Sequence, residues 1–436
     1  MKGGNKMDFI MSIFNFIIDM GAAVMMPIIL IIIGLIMGAK FGDVVRAGVT
    51  FGIGFIGLNL VIGLMSSTIT PVANDLVKNL GFKLTAIDTG WATASALAWS
   101  TEIVPLVFMA ILLTNVVMLL FGLTKTMDID IWNYWHALFI ASCIVLVTGN
   151  VFVAVLSSII NMAICFKLAD WTQKDCEEVL GLEGISLPHM QAVNWAIITY
   201  PLNWLLDRIP GVKDIEWTTD GIVEKLGLLG EPMMLGLIIG GLLSAAAQFS
   251  APDVNVINAI QQIFIVGMNV AAVLLLIPRM ISLLMEGLMV ISEATQEFLN
   301  KRFPGKEIYI GLDAAVATGH PFVIATGLLM IPITLLLAFI LPGNTTLPLA
   351  DLSVLTFAVI FSVVPCKGNL FRALIMATIT MIIVLYVASY AAPYMTGLAS
   401  NANLTVPEGA AQLTCLGAAF QWYSWIPFAL AKFFLT

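Results

Sequence analysis

Long uncharged stretches limit what this chain can fold into more than any other feature of its sequence. Nine stretches carry no Asp, Glu, Lys or Arg, and each is about as long as one helical crossing of a bilayer, which needs about 20 residues, or longer. They are residues 21–38, 47–70, 103–124, 137–166, 232–252, 254–278, 314–350, 373–407 and 409–431. Charged residues make up only 11% of the chain, against about 25% in a typical soluble domain. The sequence therefore predicts an integral membrane protein.

The number of crossings follows from the same stretches. Residues 314–350 and 373–407 exceed one crossing and contain breaks at Pro342 and Pro393. We therefore predict an all-α integral membrane fold with about ten or eleven transmembrane helices, formed by a single polytopic domain over residues 1–436. The polar segments between the stretches are too short for an independent catalytic domain.

A faint internal repeat relates two parts of the chain. Gly42 opens a Gly-rich stretch and is followed 63 residues later by Pro105. Gly305 opens a second such stretch and is followed 60 residues later by Pro365. In both parts an apolar piece of about 14 residues precedes the proline, which is shorter than one crossing.

These short pieces predict two re-entrant hairpins. Re-entrant backbone is tolerated at membrane depth only where it is buried in protein or lines a cavity. Paired broken segments in two halves of a chain also indicate the binding site of a transporter. We predict an inverted repeat with halves at approximately residues 12–165 and 250–395, and chance in a chain rich in Gly and Pro is the alternative explanation.

Ionisable side chains are scarce inside the predicted spans, because each costs about 2.5–3.5 kcal/mol or more at the bilayer centre. The three histidines of the chain, His136, His189 and His320, all lie at predicted membrane segments. Glu102 lies in the first predicted hairpin. Asp313 precedes His320 by seven residues, so a continuous helix would place both on one face. Hydrogen bonds between helices are the alternative role of these residues.

Several function classes lack the residues that they need. The chain has no GxSxG, HExxH or GxxxxGK[ST] motif, so a membrane enzyme has no recognisable machinery here. Its basic residues are scattered, which argues against a nucleic-acid partner. The five cysteines have no metal-binding or CxxC spacing. We expect no metal and no cofactor.

A series of motifs runs in order along nearly the whole chain. They are Gly52-Ile-Gly-Phe-Ile-Gly57, Val61-Ile-Gly-Leu-Met65, Asp130-Ile-Trp-Asn-Tyr-Trp-His136, Phe166-Lys-Leu-Ala-Asp-Trp171, Gly181-Leu-Glu-Gly-Ile185, Pro188-His189, Gly311-Leu-Asp-Ala314, Gly319-His320 and Gly368-Asn-Leu-Phe-Arg372. In this order they resemble the galactitol-type enzyme IIC, the membrane permease component of the bacterial phosphotransferase system.

The resemblance implies a homodimer in the bacterial inner membrane, with a core domain and a dimerising domain related in fold to the ascorbate-type carrier. It implies uptake of a polyol that is phosphorylated as it reaches the cytoplasmic side. The phosphoryl donor would be a phosphocysteine on a separate IIB protein, itself charged by IIA. None of the five cysteines here is that residue, so we expect no catalytic residue on this chain.

The family's motifs and the scarce polar groups together predict a substrate site. Its members are His136, His189, Asp313, Trp91, Glu102, Gln191 and His320. Imidazole both donates and accepts hydrogen bonds and a carboxylate accepts them, which suits the mixed demands of sugar hydroxyls. The alternative function is an ion-coupled secondary transporter in which Glu102, Asp313 and the histidines relay protons.

Overall fold

The fold is given by a computed structural model that describes residues 20, 22–80, 85–217, 232–302, 307–402 and 411–436. Gly305, on which part of the repeat prediction rests, lies outside these residues. Most described residues are helical, as predicted. The helices are α1 (Ala22–Ile36), α2 (Phe41–Leu80), α3 (Trp91–Trp99), α4 (Val104–Leu120), α5 (Trp135–Thr148), α6 (Val151–Leu180), α7 (Ala196–Leu206), α8 (Pro232–Phe249), α9 (Val256–Arg302), α10 (Pro321–Ile340), α11 (Leu355–Val363), α12 (Leu370–Asn401), α13 (Leu416–Phe420) and α14 (Trp425–Leu435).

Among the described residues, five helical stretches are long and apolar enough to cross a membrane. They are Phe41–Val61, Val151–Leu180, Val256–Val273, Pro321–Ile340 and Leu370–Asn401. The consecutive helices α3 and α4, which meet at a bend of 101°, make a sixth if they count as one span. The helical membrane class is therefore confirmed, while the count of ten or eleven crossings stays a prediction.

Helices α1, α2, α8 and α9 pack on one another and form what we call the first bundle. Glycines let its helices approach closely. A Cβ at Gly287 of α9 would lie 2.5 Å from the Ala47 carbonyl oxygen, and one at Gly54 of α2 would lie 2.8 Å from the Leu284 nitrogen. Close packing through small residues is the usual way in which helices associate in a membrane. The other described elements pack around two small sheets.

The sheets were not predicted. Their strands are β1 (Ala86–Asp88), β2 (Thr126–Asp128), β3 (Ile185–Ser186), β4 (Tyr309–Gly311), β5 (Thr346–Leu347) and β6 (Gln412–Thr414). They form two three-stranded sheets, in the orders β5-β1-β6 and β2-β4-β3. All pairs are parallel, and Ala86 of β1 is in register with both Thr346 and Gln412.

The order of elements is nearly the same in residues 86–206 and 309–435. Each segment begins with a strand, a short helix and a longer helix. A second strand, a 3-10 helix and two helices follow, and a third strand leads to the final helix. The first strand of each segment pairs with the second and third strands of the other. The predicted halves, 12–165 and 250–395, have different bounds and remain a prediction.

Helix breaks occur near both prolines that were singled out in the sequence. Pro105 is the second residue of α4, directly after the 101° bend, and Pro365 lies in the turn after the nine-residue helix α11. A bend of this kind occurs both in broken spans and in re-entrant loops, so opposed re-entrant hairpins stay a prediction. One further break was not predicted. The uncharged stretch 137–166 belongs to two helices, because Gly149 adopts a left-handed conformation (φ 66°) between α5 and α6.

Asp88, at the end of β1, ties together segments that are far apart in the chain. Its two carboxylate oxygens accept hydrogen bonds from four backbone N–H groups. The donors are Gly90 (3.1 Å), Leu349 (3.1 Å), Asp351 (2.9 Å) and Leu416 (3.3 Å). The side chain is buried. It therefore provides hydrogen-bond acceptors for backbone N–H groups that are buried away from water.

Replacing this carboxylate should destabilise the protein. Asp88→Ala leaves these N–H groups without their acceptor, at about 1–3 kcal/mol for each that stays unpaired, so the thermal unfolding temperature in detergent should fall clearly. Asp253→Ala, at an exposed position between α8 and α9, is the matched control and should unfold like the wild type. Equal unfolding temperatures for the two variants would contradict this role of Asp88.

Candidate substrate-binding site

Three of the predicted site residues lie beside one another. The rings of His136 and His189 are 4.7 Å apart in an edge-to-face arrangement, and His189 Nε2 is 3.5 Å from Asp313 Oδ1. They meet because each follows one strand of the sheet β2-β4-β3. His136 lies at the start of α5, after β2, while His189 and Asp313 come soon after β3 and β4. The ends of parallel strands lie at one edge of a sheet, which is where α/β proteins place their ligands.

Trp91 and Gln191 border this group. The Trp91 ring lies 6.5 Å from the ring of Trp135, which lies 4.2 Å from that of His136. Gln191 is buried and donates from Nε2 to the carbonyl oxygen of Gly417 at 2.9 Å. Trp91 remains partly exposed. The structure thus brings together five of the seven predicted residues.

The histidines have hydrogen-bonding capacity that the described protein groups leave unused. His136 is 1% exposed, yet within the part of the chain that the structure describes neither of its ring nitrogens has a hydrogen-bond partner, and His189 Nδ1 has none. The Gln191 side chain and the Asn133 backbone interact with His136 without meeting strict hydrogen-bond geometry. Buried polar groups are nearly always paired, so such atoms indicate a ligand or bound water. Asp313 is 22% exposed and gives the group an open side.

Glu102 and His320 lie apart from this group. Glu102 is exposed in the turn between α3 and α4. His320 precedes α10, with its ring 5.7 Å from that of Phe322. No contact among the described residues joins either side chain to His136, His189 or Asp313.

The prediction that Asp313 and His320 share one helix face was wrong. Asp313 caps a short 3-10 helix, Ala314–Ala317, by accepting a hydrogen bond from the Ala315 N–H at 2.8 Å. His320 follows that helix, and α10 begins only at Pro321. Strand pairing before Asp313 and the restart at a proline interrupt the helix, so the seven-residue spacing carries no information about a shared face.

Three buried polar residues that end or follow β2 were not predicted as members of the site. Asn133 donates from Nδ2 to Asp130 Oδ2 at 2.5 Å, and it also interacts with the Asp313 carboxylate. Asp128 Oδ1 accepts a hydrogen bond from the Asp130 N–H. A usable signal was present in the sequence, because an aspartate ends or closely follows four of the short strands. These are Asp88, Asp128, Asp313 and Asp351.

A second group, on the other sheet, has residue types that can bind metals. Potential ligand atoms of Asp88, Asp351 and Cys415 all lie within 4.8 Å of one another. However, the Asp351 carboxylate accepts hydrogen bonds from the N–H groups of Trp91 and Gly417, and Asp88 is likewise occupied. These donors direct positive charge at the oxygens that a cation would need. The arrangement is better described as a buried hydrogen-bond network than as a metal site.

An exposed ion pair lies at the opposite end of the sheet β2-β4-β3. Lys125, before β2, contacts Glu307, before β4, with 2.6 Å between Nζ and Oε2. The hydrogen bond from Lys125 lowers the pKa of the Glu307 carboxyl below its ordinary value. Both side chains are about half exposed, so the pair contributes little to stability.

Gly311 allows the three strands that carry the site to approach one another. A Cβ there would lie 2.8 Å from Pro188 Cγ, 2.9 Å from Thr126 Cγ2 and 3.0 Å from Asp128 Cα. These atoms belong to the segments on both sides of β4. A side chain at this position therefore has to spread the sheet just before Asp313.

Gly311→Ala should lower the thermal unfolding temperature, because forcing a methyl group into close packing costs about 1–3 kcal/mol. Gly63→Ala is the control, since a Cβ at Gly63 of α2 meets nothing within 4 Å. Unfolding followed by tryptophan fluorescence in detergent compares the two variants. A Gly311→Ala protein as stable as Gly63→Ala would mean that the sheet is not tightly packed here.

Comparisons with known proteins place the chain in a family. Residues 16–409 match the family EIIC-GAT, described as the PTS system sugar-specific permease component. A putative permease IIC component of Escherichia coli (strain K12) is 38% identical over 411 residues, which is 94% of this chain and 92% of that protein. The PTS system galactitol-specific EIIC component of the same strain is 36% identical over 391 residues, 90% of this chain and 85% of that protein. This chain therefore belongs to the EIIC-GAT family of sugar-specific permease components of the phosphotransferase system.

Proposed function

We propose that this permease component binds a neutral sugar alcohol of the galactitol type at His136, His189 and Asp313, with Trp91 and Gln191 completing the site. The observation that carries the proposal is the buried imidazole of His136, whose two nitrogens lack partners among the described residues. A hydroxyl group can donate to one imidazole nitrogen and accept from another, so a polyol meets this demand.

The chemistry of the group suits a neutral ligand better than an anionic one. Among the described residues that form it, the hydrogen-bonding side chains are imidazole, amide, carboxylate and indole, with no Lys or Arg to attract an anion. Binding then depends on matching hydroxyl directions. An epimer that leaves a buried polar group of the site without a hydrogen-bond partner should bind much more weakly. The group has then lost its hydrogen bonds to water and gained none from the ligand. The similarity to a galactitol-specific EIIC component supports a polyol as the substrate.

We further propose that a separate IIB protein phosphorylates the bound polyol. The donor is a phosphocysteine of IIB, formed when IIA transfers a phosphoryl group to that cysteine. A substrate hydroxyl oxygen forms the new P–O bond while the P–S bond of the phosphocysteine breaks and leaves a thiolate. The Asp313 carboxylate and the histidines are the bases available for the hydroxyl proton. All five cysteines of this chain are buried, which fits a donor on another protein. This chain would then position the acceptor hydroxyl and offer a base for its proton, so the expectation of no catalytic residue is narrowed to no phosphoryl donor on this chain.

The cellular setting follows from the family. We propose a multi-pass protein of the bacterial inner membrane that works as a homodimer. The first bundle supports a separate dimerising part, since its helices α2, α8 and α9 pack mainly on one another. It also borders the rest of the protein, because α2 contacts the 3-10 helix Ala350–Val354 and α9 contacts the 3-10 helix Ala314–Ala317. The site lies outside this bundle, among elements that follow the strands.

Substitutions at the site should weaken binding while the protein still folds. His136→Ala and Asp313→Asn should each raise the dissociation constant for galactitol about tenfold or more, because a ligand hydroxyl left without its buried partner costs about 1–3 kcal/mol. Isothermal titration with protein purified in detergent measures this effect.

The control is His320→Ala, which changes a histidine that lies apart from the group. Its dissociation constant should stay within about twofold of the wild-type value, as expected of sites away from the ligand. Wild-type affinity in both His136→Ala and Asp313→Asn would move the site elsewhere in the protein.

The source of energy for uptake separates the proposed mechanism from an ion-coupled transporter. Membrane vesicles that contain this chain and the soluble phosphotransferase proteins should accumulate galactitol phosphate only when phosphoenolpyruvate is supplied. An uncoupler should have no effect, because the phosphoryl group drives the process. Uptake that needs no phosphoenolpyruvate and stops with the uncoupler would contradict the proposal.

A further inference from the structure

We propose that Asp351 is a positioning residue that sets the spacing of Trp91 and Gln191, and so shapes the polyol site without touching the polyol. The inference rests on the proposed function. Asp351 lies in the 3-10 helix Ala350–Val354, directly after β5. It therefore belongs to the sheet β5-β1-β6, whereas His136, His189 and Asp313 follow the strands of the other sheet.

One carboxylate holds both neighbours. Asp351 Oδ1 accepts a hydrogen bond from the Trp91 N–H at 2.8 Å, at the first residue of α3. Asp351 Oδ2 accepts from the Gly417 N–H at 2.7 Å and from the Cys415 thiol at 3.2 Å. Gly417 in turn accepts the Nε2 hydrogen bond of Gln191 at 2.9 Å. Trp91 is thus fixed directly, and Gln191 through a single residue.

Close packing at Gly417 makes this spacing hard to change. A Cβ there would lie 2.8 Å from Trp91 Cβ, 2.9 Å from Gln191 Nε2 and 3.3 Å from Asp351 Oδ2. Three side chains from distant parts of the chain therefore converge on a point that has no room for a methyl group. A shift of any one of them is transmitted to the others.

Asp351 itself has little freedom to move. It is 1% exposed, and its own N–H donates to Asp88 Oδ2 at 2.9 Å. A buried carboxylate that leaves its donors finds no water to replace them, so it stays where those donors are. This immobility is what a group needs in order to position others.

Asp351→Asn tests the inference because it keeps the shape and replaces one oxygen by an NH2 group. That group faces an N–H donor at either position, so one contact is lost. Hydrogen exchange of the ligand-free protein should become faster at the start of α3 and in α13. The dissociation constant for galactitol should rise about tenfold, as for a lost buried hydrogen bond.

Asn344→Ala is the matched control. Asn344 is also buried beside β5, and its side chain bonds Ala338, Thr346 and Ser389 but neither Trp91 nor Gln191. Its loss should leave exchange in α3 and α13, and the affinity for galactitol, near wild-type values. Equal effects in the two variants would mean general loosening of the sheet and would overturn the inference.

Two further variants separate positioning from a purely structural role. If Asp351 acts through Gln191, adding Gln191→Ala to Asp351→Asn should raise the dissociation constant less than the two single effects combined. Gly417→Ala keeps the carboxylate and pushes Trp91 and Gln191 apart, so it should weaken binding even if Asp351→Asn does not fold. Unchanged affinity in Gly417→Ala would overturn the inference, as would additive effects both in this pair and when Trp91→Ala is combined with Asp351→Asn. A wild-type protein that does not bind galactitol would overturn the proposed function instead, and the exchange measurement would still decide the role of Asp351.

Discussion

Pairing between strands of two distant chain segments is the interaction on which the rest of this structure depends. Non-helical backbone is tolerated inside a membrane protein only when its N–H and C=O groups find partners within the protein. Here β1 takes its partners from residues 346–347 and 412–414, and β4 takes its partners from 126–128 and 185–186. Short strands can therefore interrupt the helices of an apolar chain and bring polar loops together.

The two sheets have similar local geometry but differ in what their polar side chains bind. Around β5-β1-β6, the carboxylates of Asp88 and Asp351 are occupied by backbone N–H groups. Around β2-β4-β3, the imidazoles of His136 and His189 keep nitrogens that have no hydrogen-bond partner among the described residues. One sheet end is closed by its own hydrogen bonds, and the other has capacity left for a ligand. Gly417 and Gln191 connect the two ends.

The sequence predicted the class of the protein well, and five of the seven residues that it singled out lie together in the fold. Uncharged stretches and ordered motifs were strong signals because they extend over many residues. The strands were not predictable, since two or three residues are too few to display alternation. The prediction of an unbroken helix through Asp313 was wrong because the three-residue strand β4 before it could not be recognised in the sequence. The role of Asp351 could not be predicted, because its partner Trp91 is 260 positions away in the chain. Residue spacing in a sequence gives no information about contacts between such distant positions.

The exchange of strands between the two segments also has a consequence for biosynthesis. Residues 86–206 are synthesised long before β5 and β6, so β1 has to wait for partners that lie 260 positions (Ala86 to Thr346) and 326 positions (Ala86 to Gln412) later in the chain. During that interval its polar backbone has to be shielded by water, lipid headgroups or the insertion machinery. Contacts of such long sequence separation are slow to form. The sheet β5-β1-β6 can therefore be completed only after residues 412–414 have been made.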